Sequence, residues 1–225
     1  MNQIWYQDFQ FWAIIVALIL GLAGIFQDRI RSVFLKPKMS IDIKLEPPDC
    51  HKNSINDKET GIKICDTYYL RFRIENNGNY QMDDVEAMVI GLVKKEPNEM
   101  YKKVKKFLPL NLVWSHYRTT SMKQIQAGVF KHLDLAHIIR SEFVRVEGPF
   151  KVTTGHEIIF VLDTAVTPNN NSNILLPGTY QIDFIFVANN LKPVYKKYEF
   201  IIANEWSDEE KIMLEKNISI KEINL

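Results

Sequence analysis

From Phe9 to Gln27 the chain reads FQFWAIIVALILGLAGIFQ, without a charge and bounded by Asp8 and Asp28. A helix rises about 1.5 Å per residue, so this run reaches close to the roughly 30 Å of a bilayer's hydrocarbon core. A soluble helix is seldom apolar on every side for this long. A cleaved signal peptide would carry a positive n-region and a small-residue cleavage site. Here MNQIWYQDFQ holds no Lys or Arg, and the run ends in bulky Ile25 and Phe26. The expectation is one transmembrane helix over residues 9–27, which makes everything downstream a tethered domain.

Charge sets the orientation. Arg29, Arg31, Lys36 and Lys38 follow the run, with Asp28 against them, while the first ten residues offer no cation. Basic flanks stay on the cytoplasmic side. The predicted protein is therefore single-pass in the inner (plasma) membrane. Residues 1–8 form an extracytoplasmic N-terminus, 28–38 a basic juxtamembrane linker, and 39–225 a cytoplasmic domain. Trp5, Tyr6 and Trp12 suit the outer aromatic belt. The basic residues set topology, and contact with anionic lipid is a second use for them. Ala13, Ala17 and Gly21 recur every fourth residue, with Gly24 close to their stripe. Small residues on one face let helices approach in lipid, so homo-oligomerisation through this segment is a candidate.

With 46% hydrophobic residues, 12% of all residues being aromatic, the chain can bury a proper core. The 28 basic and 27 acidic residues reduce to a net −1 once the juxtamembrane cations, Asp8 and Asp28 are set aside. Such a balance carries no electrostatic footprint for nucleic acid. Lys94, Lys95, Lys102, Lys103, Lys105 and Lys106 cluster locally and read as a solvated hairpin tip. Cys50 and Cys65 flank HKNSINDKETGIKI, which reads as a loop. An oxidised pair there could contribute about 3 kcal/mol. The predicted cytosolic placement instead implies free thiols. Asn170-Asn171-Ser172 and Asn217-Ile218-Ser219 match glycosylation acceptors and matter only with the opposite orientation.

Past Pro37 the pattern becomes period two. In MSIDIKLE, Ile41, Ile43 and Leu45 alternate with Asp42, Lys44 and Glu46, as in a half-buried strand. TYYLRFRIEN sets Tyr69, Arg71 and Arg73 against Tyr68, Leu70, Phe72 and Ile74. Asn76-Asn77-Gly78-Asn79 is a turn signal, and DDVEAMVIGLVKK can pair back, which predicts a hairpin from Thr67 to Lys95. EIIFVLD is a short apolar strand. GTYQIDFIFVA and PVYKKYEFIIA form a further pair about Asn189-Asn190. Short strands between Gly, Pro and Asn turns predict a mainly β sandwich rather than a doubly wound fold. Ser207-Asp208-Glu209-Glu210 reads as a capping box opening a C-terminal helix, with Trp206 stapling onto Lys211 or Ile212. ISIKEINL could add an edge strand.

The central segment FLPLNLVWSHYRTTSMKQIQAGVFKHLDLAHIIR is where chemistry could hide. It carries Trp114, His116, His132, Asp134 and His137, residue types able to form a zinc or iron site if brought together. In a strand His132 and Asp134 share a face and His137 points away, whereas a helix would pair Asp134 with His137. No HExxH or CxxC framework accompanies them, so structural histidines are the default. GxGxxG, GxxxxGK[ST] and GxSxG are all absent: Gly91, Gly128, Gly148 and Gly155 build none of them. No catalytic residue and no cofactor is expected.

The run YYLRFRIENNGNYQMDDVEAMVIGL is similar to the strand, N-x-G turn, strand unit of bacterial adhesion-type sandwiches. PGTYQIDFIFVANNLKPVYKKYEFII looks like the closing strand pair of the same immunoglobulin-like fold. With FLPLNLVWSH, the DLAH segment and the Trp before an acidic-capped helix, the chain resembles uncharacterised bacterial membrane-anchored proteins. That resemblance implies an immunoglobulin-like antiparallel β-sandwich with a short C-terminal helix, and no activity. It lacks the Cys…Trp…Cys framework of antibody domains. The expected function is a non-catalytic interaction module that binds a protein partner or small ligand. A self-associating membrane effector or sensor, as in bacterial defence, is the alternative, and a metal-dependent enzyme the third reading.

Overall fold

The computed structural model describes residues 9–27, 34–57, 59–105, 107–143 and 155–223. The expectations resting on residues 1–8 (Trp5 and Tyr6 included), on Asp28, Arg29 and Arg31, and on Lys106 and Gly148 lie outside the described residues.

The apolar run forms helix α1, Phe9–Ile25, in which no residue is buried. At 17 residues it is about 26 Å long. Among the described residues no helix is long and apolar enough to cross a membrane.

The rest is mainly β, in two antiparallel sheets. Sheet A is built on β3 (Lys63–Asn76) and β9 (Phe130–Arg140). Strands β1 (Met39–Asp42) and β2 (Cys50–Asn56) share the free edge of β3. On the far edge of β9 lie β7 (Val113–Trp114) and β10 (Ile158–Leu162), the latter followed by β11 (Ile174–Leu175). Sheet B runs β14 (Ile218–Ile223), β13 (Leu191–Ile202), β12 (Gly178–Ala188) and β4 (Met82–Lys95). The far edge of β4 takes β5 (Tyr101–Lys103), β6 (Leu110–Asn111) and β8 (Ser121–Ile125).

The period-two apolar residues face inward and meet between the sheets. Phe72 of sheet A stands edge-on to Phe184 at 5.1 Å and Phe186 at 5.5 Å of sheet B. Full burial of each such side chain contributes about 1.5–3 kcal/mol. Trp114 is wholly buried, and its Nε1 donates to the Val85 carbonyl at 3.1 Å, tying β7 to the opposite sheet. Tyr180 at the start of β12 donates its hydroxyl to the Leu176 carbonyl at 2.8 Å.

Three local expectations are corrected. Strands β3 and β4 do not pair as a hairpin. The end of β3 is bonded to β1 on one edge (Met39 opposite Asn76) and to β9 on the other (Phe130 opposite Glu75), so no edge remains for β4 and the chain crosses to sheet B. The segment after Cys50 is a strand rather than a loop. Cys50 faces Leu70 and Cys65 faces Ile55, which puts the thiols roughly 16 Å apart along the ladder, too far to bridge. Both are free and buried. The capping box does not form: Glu210 turns away to accept the Lys52 amide at 2.6 Å. The helix α2 it was to open covers Glu210–Ile212 and passes into a π-turn, Met213–Asn217. Trp206 packs on Tyr68, with ring centroids 5.1 Å apart.

The Asn76–Asn79 turn has a second task. Asn79 accepts the Lys36 amide on Oδ1 at 2.7 Å and donates Nδ2 to the Phe34 carbonyl at 2.7 Å. The Asn77 and Asn79 amides bond the carbonyls of Lys38 and Lys36. A Cβ on Gly78 would stand 2.3 Å from the Lys36 carbonyl oxygen, so only glycine permits this approach. The segment entering the domain is gripped rather than loose.

Candidate outer-face binding site on sheet A

The residues of β3 that point away from the core are Tyr69, Arg71 and Arg73, as the alternation requires. Those of β9 are His132, Asp134 and His137. The last departs from strict alternation: Ala136 pairs with Leu70 and Asp134 with Arg71, which leaves Leu135 as an unpaired bulge residue. One inserted residue shifts the side-chain phase, so His137 joins His132 and Asp134 on the same face instead of pointing away.

These groups find separate partners rather than a common centre. Arg71 Nε donates to Asp134 Oδ1 at 2.9 Å, and Ser115 Oγ donates to the same carboxylate. His137 Nδ1 lies 2.7 Å from Asp163 Oδ1, and His132 Nε2 lies 2.9 Å from the buried Asp49. The Arg71 guanidinium sits 5.4 Å from the Tyr69 ring centroid, and that of Arg73 3.6 Å from Phe130. Trp114 is a core residue, and His116 is exposed on the turn after β7. The five residues considered for a metal therefore do not converge. Among the described residues no group of three or more His, Cys, Asp or Glu could hold a metal ion.

Two clefts open on this face. The smaller, about 380 Å³, is lined by Tyr69, Arg71, His116, Arg118, Asp134 and Asp163 among others. The larger, about 530 Å³, has a mixed lining in which apolar Ile64, Ile139, Phe143 and Val161 stand with polar residues that include His137. The His137–Asp163 pair thus stands between them. Both volumes fall in the range of small-ligand sites.

The electrostatics act on several groups of this face and its surroundings. Burial, followed by the nearby Asp163 and Asp134, raises the Tyr69 phenol, which keeps its proton as a donor. Burial pushes the Cys50 thiol up to about 12 and raises Cys65, so neither is prepared as a thiolate. Burial and then the Arg71 charge lower His51, which favours the neutral ring. Ser115 is buried and donates to a carboxylate already bonded to arginine, an arrangement that leaves it without a base. Alternation in TYYLRFRIEN placed Arg71 on the outer face. Nothing local marked Asp49, Ser115 or Asp163, whose partners lie 83, 19 and 26 residues away. No protein-family model matches the chain. A search of curated proteins likewise finds no relative.

Proposed function

We propose that this chain is a membrane-anchored, non-catalytic binding module that recognises a protein partner or small ligand through the outer face of sheet A. The observation that carries it is the pair of adjoining clefts on that face, walled by the Arg71–Asp134 and His137–Asp163 pairs. Polar groups among apolar side chains in one cleft are how ligand sites combine orientation with affinity. The immunoglobulin-like reading of the sandwich is supported by strand order: β1-β3-β9 in one sheet and β13-β12-β4 in the other follow A-B-E and G-F-C. Tyr180 supplies a further likeness, since a tyrosine at the start of strand F bonding upstream backbone is a tyrosine corner.

Anchorage through residues 9–27 is supported by the uninterrupted apolar run and by the exposure of α1 all round. A helix a few ångströms short of the hydrocarbon thickness is accommodated by local thinning and by snorkelling of its flanks. A cytoplasmic domain with residues 1–8 outside is supported by the basic residues after the run. The reading is tested by affinity purification from native membranes together with a ligand thermal screen. A stoichiometric partner or a saturable shift, lost on Arg71→Ala, is the expected result. Neither a partner nor a shift overturns it.

A second reading is self-association through α1 as a membrane effector or sensor. It is favoured by Ala13, Ala17 and Gly21 lying uncovered, with open space around Gly21. Leucine at the three positions is expected to lower the oligomer size in detergent.

A further inference from the structure

We infer that the smaller cleft on sheet A takes the anionic group of a small ligand, a carboxylate or a phosphate, between Arg71 and Arg118. The inference rests on sheet A's outer face being the ligand face and names the chemistry of its ligand.

Arg71 is held in place by its Nε bond to Asp134, with its side chain 12% exposed. Nε is the one side-chain nitrogen of Arg71 with a hydrogen-bond acceptor among the described residues, and Arg71 lines the cleft. Arg118 lines the same cleft and pairs with no acid among the described residues. Of the acids in the lining, Asp134 is engaged by Arg71 and Ser115 and Asp163 by His137 through Oδ1, while Asp163 Oδ2 is buried without a partner. The same lining carries two planar guanidinium forks, the geometry that suits carboxylate and phosphate oxygens.

The turn that presents Arg118 shows that its side chains are retained at a cost. His116 has φ 68° and Arg118 φ 53°, so both sit in the left-handed region. Glycine occupies such positions without a Cβ penalty, yet this turn has a large polar side chain at each, and both line the cleft. Strain of this kind gathers at ligand sites, where surrounding structure sustains it. The amides of Tyr117 and Arg118 both bond the Trp114 carbonyl, and Trp114 is anchored in the core, so the turn is fixed from below.

The test uses the full chain in lipid nanodiscs, titrated calorimetrically with phenyl phosphate, phenylacetate and neutral benzyl alcohol. At least one anion is expected to bind saturably, and the stronger of the two identifies the group. Benzyl alcohol is expected to bind about tenfold more weakly or worse, since charge-assisted bonds to the forks are lost. Arg118→Gly is expected to weaken the anion about tenfold or more while leaving the melting temperature unchanged or higher, because the left-handed residue is relieved. Arg118→Gln, which keeps the Cβ, is expected to lose binding without that gain. Absence of saturable binding by both anions overturns the inference, as does unchanged affinity in Arg118→Gly. If a stoichiometric partner is still recovered through Arg71, the face remains a binding surface and the anion alone is removed.

Discussion

Arg71 and Asp134 stand opposite each other on neighbouring strands, Nε 2.9 Å from Oδ1, with side chains 12% and 16% exposed. Removing one partner leaves the other's charge poorly hydrated. Asp134→Ala is expected to lower the unfolding free energy by about 2–3 kcal/mol, below the 3–5 kcal/mol of a fully buried pair because some water reaches it. Replacing both, as Arg71→Met with Asp134→Leu, should cost less than the single change. Urea denaturation of the three proteins checks this, and a loss in Asp134→Ala no larger than for a surface pair would show the bridge to be ornamental.

Gly78→Ala places a methyl group against backbone atoms at 2.3, 2.6 and 2.7 Å that have no rotamer through which to yield. The expected effect is a destabilisation of about 1–3 kcal/mol, the usual range for forced overpacking. Hydrogen exchange offers the local readout. The Asn77 and Asn79 amides, bonded to Lys38 and Lys36, should exchange faster in the variant while amides in the centre of β12 change far less.

His51 is held neutral by burial and by Arg71, so its folded value lies below the ordinary 6.5. A depressed value contributes stability that is fully present above pH 6.5 and is lost as pH falls from there through the folded value, because the unfolded chain takes the proton first. The melting temperature should therefore fall on acidification, and His51→Gln should fall less over the same window. Parallel curves for the two proteins would contradict the assignment.

Cys50, raised to about 12 by burial, should resist alkylation at neutral pH in the folded protein and react readily in denaturant. Oxidants should produce no Cys50–Cys65 bridge, whatever compartment the domain occupies, because the ladder separates them. Mass spectrometry after iodoacetamide, with and without urea, distinguishes the outcomes.

An acidic residue in the middle of α1 should disrupt anchorage. Leu18→Asp adds about 2.5–3.5 kcal/mol to insertion of a helix at its centre. The variant is expected to leave the carbonate-resistant membrane fraction where the parent chain remains. Equal extraction of the two would argue against the segment being embedded.

Period-two alternation gave the strands around Tyr68–Ile74 and Tyr180–Phe186 correctly, because inward and outward residues differ so sharply there, but it left β9, in the middle of sheet A, open between strand and helix. It could not say which sheet each strand joins. That depends on edge occupancy, and both edges at the end of β3 were taken by strands far along the chain. The outer-face site was half legible. Arg71, His132 and Asp134 fell on the predicted face, whereas His137 required a bulge at Leu135, a backbone event with no glycine or proline to announce it. The capping box expected from Ser207-Asp208-Glu209-Glu210 did not form because a distant amide, that of Lys52, competed for the glutamate. Short-range patterns are readable where the local partner wins, and misleading where a remote one does.

The grip of Asn79 on Phe34 and Lys36 means that tension on the chain at Phe34 is met first by the turn after β3 and only then by β1. One asparagine side chain thus acts as a strain relief for the opening strand of the sandwich.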